Sequence, residues 1–128
     1  MKRTGESVPI RQLCVSGWGG VVAPESGIRM DEYCPGCQFS HYSPMTDPAS
    51  LIDPLAWDGS DFFIIWPLPG FPFVTKRVRQ VFRDNHLTGP QFLKTLPPET
   101  WHGYSPQRLS FIFPEARAHE IGDPLGIY

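Results

Sequence analysis

No stretch of this sequence approaches the run of about 18 apolar residues that a membrane-spanning helix requires, so no transmembrane segment is expected. Nor is there an excess of either charge: 11 lysines and arginines stand against 13 aspartates and glutamates, for a net charge of −2. A chain so balanced exerts no long-range pull on nucleic acid or on an anionic membrane surface, and neither is expected as a partner. Cysteine is scarce and odd in number, three in all, which argues against the paired framework of a secreted disulfide-rich domain. Reduced thiols suit a cytoplasmic setting. The charged start Met1-Lys2-Arg3-Thr4-Gly5-Glu6 is followed by no apolar run, so no signal peptide is read there. Also missing are a P-loop, an HExxH pair, a nucleophile elbow and a glycine-rich dinucleotide fingerprint. With no general acid and base nominated by spacing, the reading is a non-enzymatic protein.

What the chain has in abundance is proline, 15 residues in 128. Proline ends helices and is excluded from central strands, so short strands, long ordered loops and few helices are expected. At 41% hydrophobic and 13% aromatic, the composition is that of one globular domain spanning residues 1–128. Residues 1–8 are polar and expected to fray. Residues 10–44 should form glycine-rich strands and a small cysteine-bearing knuckle, with an α+β core over residues 57–128. Around Gly17, Gly19 and Gly20 a bent strand or a glycine-kinked hairpin is anticipated. Ile28 to Tyr33 and Phe39 to Tyr42 should flank the knuckle as strands, and Asp61 to Trp66, apolar without interruption from Phe62, should be a central strand buried on both faces. Gln91 to Leu96 and Leu109 to Phe113 read as further strands. One amphipathic helix is expected from Thr75 to His86, with Thr75 as its cap and Val74, Val78, Val81 and Phe82 on its apolar face. Pro114 suits the start of a short second helix ending near Gly122. The fold class is therefore α+β: a small, mostly antiparallel sheet, one main amphipathic helix packed on it, a short C-terminal helix and an N-terminal CxxC knuckle.

The spacing that carries the most definite chemistry is Cys34-Pro-Gly-Cys37. With Cys14 upstream and His41 downstream it forms Cys14-x19-Cys34-x2-Cys37-x3-His41, four ligands of the types that zinc prefers. Zinc is the cofactor this set would take; His86 or His102 could also complete it from afar. The same cysteines could instead oxidise to a disulfide, form an unmetallated turn or be buried as small apolar side chains. A thioredoxin-like catalyst would need the pair at a helix N-terminus, and Gln38-Phe39-Ser40-His41-Tyr42-Ser43-Pro44 does not read as a helix.

Two other patterns concern surfaces. Asp47, Asp53, Asp58 and Asp61 match no calcium loop, and aspartate beside proline or glycine is ordinary turn chemistry. Lys76, Arg79 and Arg83 recur at spacings of three and four on the face of the main helix opposite its valines, with Arg77 flanking. Such a stripe is either a solvated face or a complement to an acidic protein. Aromatic side chains held on proline-stiffened loops are frequent anchors of protein interfaces. The candidate partner-binding residues are accordingly Trp57, Asp58, Asp61, Phe71, Lys76, Arg79, Arg83 and Trp101.

The order Cys34-Pro-Gly-Cys37, Leu51-Ile52-Asp53-Pro54, Trp57-Asp58-Gly59-Ser60-Asp61-Phe62-Phe63, Trp66-Pro67-Leu68-Pro69, Phe73-Val74-Thr75 and Leu87-Thr88-Gly89 resembles the double-CXXCG motif paralogues of myxobacteria. That group includes immunity proteins of swapping toxins, and the resemblance extends to immunity proteins of bacterial polymorphic toxins more broadly. It runs from about Gly17 to the C-terminus and is most specific over Trp57 to Gly89. The chain has one CxxC rather than two, and Gln38 stands where the motif has glycine. The resemblance implies no catalytic residues. It implies a cytoplasmic binder that neutralises a cognate toxin by direct protein–protein contact; the alternative is a small zinc-ribbon-like structural or regulatory protein.

Overall fold

The computed structural model describes residues 12–128; the expectation of a frayed segment over 1–8 lies outside them. Among the described residues six strands run in chain order: β1 (Gly17–Val21), β2 (Met30–Tyr33), β3 (Phe39–Tyr42), β4 (Phe62–Trp66), β5 (Phe73–Val74) and β6 (Tyr104–Pro106). Two α-helices, α1 (Lys76–Asp84) and α2 (Glu115–Gly122), complete an α+β architecture, and short 3-10 turns fill several of the proline-rich connections. Among the described residues no helix is long and apolar enough to cross a membrane.

The run Phe62-Phe63-Ile64-Ile65-Trp66 organises the molecule. A strand apolar at every position must be covered on both sides, and β4 is. Phe63 and Ile65 point into a cluster with Val22, Ile28, Tyr42, Met45, Leu51, Leu68 and Trp101. Ile64 and Trp66 point the opposite way, into Leu109, Phe113, Ala118 and Ile127. β4 is the middle of the three-stranded sheet β1-β4-β5, parallel to β1 and antiparallel to β5. Glycine lets β1 approach its neighbour: a Cβ at Gly19 would lie 2.5 Å from the Phe63 ring and 2.7 Å from Ile65 Cγ2. At Gly17 it would collide with the Phe62 carbonyl oxygen.

The remaining strands form a second sheet, β2-β3-β6, antiparallel throughout, with Tyr33 opposite Ser40 and Ser40 opposite Ser105. Its inward polar groups are satisfied. The hydroxyls of Ser40 and Tyr42 both donate to Gln107 Oε1, at 3.0 and 2.7 Å.

Several expectations are corrected by this arrangement. There are two small sheets rather than one. Of the two forms anticipated for the glycine-rich segment, the strand is the one found: β1 runs parallel to β4, its register shifted between Trp18 and Val21. Residues 91–96 form no strand, since Pro90 and Pro97 bracket them and no neighbouring strand edge pairs with them. Leu109–Phe111 is a 3-10 turn, because the Leu109 and Ser110 amides donate to Ile127 and Tyr128 of the chain end, at 2.6 and 3.2 Å. The main helix is shorter than read, and Thr75 precedes it without a side-chain cap; its hydroxyl donates to Asp61 Oδ1 instead, at 2.6 Å. Nor is α1 the helix that covers the central sheet. Val78 is its single buried residue, and Val81 is 48% exposed. The short α2 takes that place through Ala118, which is fully buried.

Candidate interaction surface

The thiol pair occupies the turn from β2 to β3. The Cys34 amide donates to Phe39 O at 2.9 Å and the Gln38 amide to Cys34 O at 2.8 Å, which closes the turn at its base. The Cys37 amide donates to Cys34 Sγ at 3.4 Å. Hydrogen bonds from the Cys37 backbone foremost, then from its side chain and the Gly36 backbone, hold the Cys34 thiol below its ordinary range. All three cysteines are exposed. Cys14 lies ahead of β1, beside a hollow that Asp58, Asp61 and Arg117 also line. His41, on β3, has Nδ1 3.8 Å from Asp31 Oδ2 and its ring 4.9 Å from that of Tyr104. Among the described residues no three histidine, cysteine, aspartate or glutamate side chains are grouped to hold one metal ion. The structure thus brings Cys34 to Cys37 and does not add Cys14 or His41 to them.

The segment from Trp57 to Asp61 is a fastening. Asp58 Oδ2 accepts the Trp18 amide at 2.9 Å and lies 3.3 Å from Arg117, while Oδ1 accepts the Ser60 amide and hydroxyl at 3.0 and 2.5 Å. Burial raises the pKa of this carboxyl, but the bonds from Ser60 and Trp18 and the charge of Arg117 outweigh it and hold the group below the usual carboxylate range. Asp61 ties the start of β4 to the start of α1: it accepts from Thr75 and pairs with Arg77, and these hydrogen bonds, Arg77's first, lower its pKa. The indole of Trp57 donates to Ser60 O at 3.0 Å and its ring tilts against Phe63. At 36% exposure, Trp57 still presents an edge to solvent.

Trp101 is not a surface anchor. It is 8% exposed, packs on Tyr42 and donates its indole N–H to Ser43 O at 3.0 Å. Its proline-rich flanks suggested exposure, but the indole folds back across the end of the second sheet.

A groove of about 590 Å³ lies between the 48–52 loop, the Gly70–Val74 segment and residues 91–96. Its apolar lining includes Ile52, Phe71, Phe73, Phe92, Leu93 and Leu96. Phe71, Phe73 and Leu96 back onto the core, whereas Ile52 and Leu93 are exposed. Lys94 is the one ionisable residue of that lining among the described residues, so the groove contains no acid–base pair. It adjoins α1, because Phe82 of the helix packs edge-on against Phe92, ring centroids 5.3 Å apart. Lys76, Arg79 and Arg83 on the helix are all exposed, and none has a carboxylate within ion-pair distance among the described residues; Arg77 alone is engaged, by Asp61. Sequence reasoning named Phe71 and the three cations but missed Ile52, Leu93 and Lys94. The available signal was Phe92, Leu93 and Leu96 bracketed by Pro90 and Pro97, a pattern that suits a stiff, unpaired strip as well as a strand.

No protein-family model, curated protein or solved structure matches the chain. The resemblance to the double-CXXCG paralogues therefore rests on the motifs alone.

Proposed function

We propose that the chain is an immunity-type protein, a cytoplasmic, non-enzymatic binder that neutralises a cognate bacterial toxin by direct contact. The observation that carries this reading is the juxtaposition of three cations on a peripheral helix, without an ion-pair partner among the described residues, with an apolar groove next to it. Apolar clefts flanked by charge of one sign suit a partner presenting aromatic or aliphatic anchors within an acidic surface. Lys76, Arg79 and Arg83 steer and register such a partner, and Phe71 with Leu93 receives its apolar side chains. Three exposed thiols fit a reducing compartment.

The test is co-purification with the product of an adjoining toxin gene, followed by affinity measurement on variants. Each of Arg79→Glu and Arg83→Glu is expected to weaken binding about tenfold, chiefly through the association rate and with a loss of salt dependence. The circular dichroism spectrum should not change. Unchanged affinity across both reversals and Phe71→Ala would remove this surface from the proposal.

The zinc-ribbon alternative draws on the Cys34–Cys37 pair and needs two further ligands to complete a tetrahedral site. Metal analysis of the purified protein decides it: one zinc per chain, lost together with folding on chelation, would favour that reading.

A further inference from the structure

We propose that Cys34 and Cys37 form a reversible dithiol–disulfide site that exchanges with low-molecular-weight disulfides, independently of Cys14 and His41. The turn already holds the pair in the required relation. Backbone bonds from Cys34 to Phe39 and from Gln38 to Cys34 close it, and the Cys37 amide lies on the Cys34 sulfur at 3.4 Å. Residues three apart in a tight turn keep their Cα atoms within about 7 Å, which overlaps the span that a disulfide bridges. The far side of the turn is pinned as well. Gln38, in the left-handed region at φ 60, receives the Arg108 guanidinium on its side-chain oxygen at 2.9 Å and the Gln107 amide on its carbonyl at 3.1 Å. Joining the sulfurs therefore calls for side-chain rotation more than for movement of the backbone.

Access is open on the same side. Both thiols are exposed, and a Cβ added at Gly36 would find Cys34 Sγ as its near neighbour, at 3.8 Å. A residue with a side chain there would shield that sulfur; glycine leaves it uncovered. The roles of the two cysteines are unequal. Cys34 Sγ accepts a backbone N–H, which stabilises negative charge on it, so Cys34 is the attacking sulfur and Cys37 the resolving one.

The exchange balances without a further reactant. The Cys34 thiolate attacks one sulfur of a small disulfide such as oxidised glutathione, forming a mixed disulfide and expelling one thiolate. Cys37 then loses its proton to solvent and attacks Cys34 Sγ, closing the intrachain bond and expelling the second thiolate. The two cysteines together give up two electrons and two protons, and one small disulfide becomes two thiols.

The experiment equilibrates the purified full chain in buffers of reduced and oxidised glutathione, quenches with acid and reads intact mass and thiol number. The expected result is a chain lighter by about 2 Da with Cys14 still alkylatable. Cys14→Ser should oxidise in the same way, and excess reduced glutathione should reverse it. Cys37→Ser should accumulate one glutathione adduct at Cys34, while Cys34→Ser, checked for unchanged circular dichroism, should accumulate less adduct at Cys37. Three alkylatable thiols at every glutathione ratio, bonding through Cys14, or chains linked to each other would overturn the proposal. The readouts involve no toxin, so failure here would be distinct from failure of the binding function.

Discussion

Truncating Ile64 or Ile65 to alanine should destabilise the protein to a similar degree, although the two side chains point to opposite faces of β4. Ile64 is 2% exposed and Ile65 0%. Each substitution removes three buried carbons, worth about 2.4 kcal/mol at roughly 0.8 kcal/mol per methylene. The cavity left by incomplete collapse adds to this, for a total of about 3–4 kcal/mol. That is a large share of the 5–15 kcal/mol that holds a typical domain together. Val81→Ala, on the exposed side of α1, serves as the control and should stay within about 0.5 kcal/mol. Urea unfolding followed by tryptophan fluorescence and circular dichroism supplies the comparison, with the denaturant slope unchanged across variants. If β4 had one solvated face, neighbouring positions would differ by most of that cost. A loss below about 1 kcal/mol at either isoleucine would refute a strand enclosed by two clusters.

The carboxyls of Asp58 and Asp61 both titrate below their ordinary value of 3.8 in the folded chain. The stability they contribute is therefore complete above that value and is lost as pH falls through the lower folded values. Urea midpoints measured from pH 6 downward should drop in this acid range, and Asp58→Asn should flatten the drop; parallel curves for the two proteins would show that the fastening is not electrostatic. Trp101→Phe keeps an aromatic ring but leaves Ser43 O without its indole donor, so a stability loss of about 1–3 kcal/mol is expected. Affinity for the partner should be unaffected, and a binding defect with normal stability would return Trp101 to the interface. Under the proposed function, charge reversal at Arg79 and Arg83 should have the opposite signature, weaker binding with unchanged stability.

The parts of the fold legible in the sequence are those whose cause is local. Phe62 to Trp66 announces a two-sided strand because no residue in it tolerates water. The Cys34-Pro-Gly-Cys37 turn announces the β2–β3 hairpin, and Pro114 announces α2. Pairing at a distance left no such mark. β1 lies parallel to β4 across a long crossover, and nothing within Gly17 to Val21 specifies a parallel neighbour. Asp58 reads as a turn residue through Ser60, and that half is correct. Its other half is a bond to Trp18, 40 positions away, and one to Arg117, 59 away. Trp101 finds Ser43 at a separation of 58. The apolar period of α1 was real, but periodicity reports which face of a helix is greasy and not how much of the protein lies against it. That is why Val81 was expected inside and is found outside.

The peripheral seat of α1 bears on how such a protein changes over generations. The helix is held at its start by the Thr75 and Arg77 bonds to Asp61 and further along by Phe82 on Phe92. Its remaining solvent-facing positions lie outside both core clusters. Substitutions there cost the fold little, about 0.5 kcal/mol or less each. Lys76, Arg79, Gln80, Val81 and Arg83 can therefore be rewritten one at a time without driving the chain toward unfolding. If α1 meets a partner as proposed, a partner that alters its surface can be followed by exchange at these few positions, while β4 and the two clusters around it stay as they are.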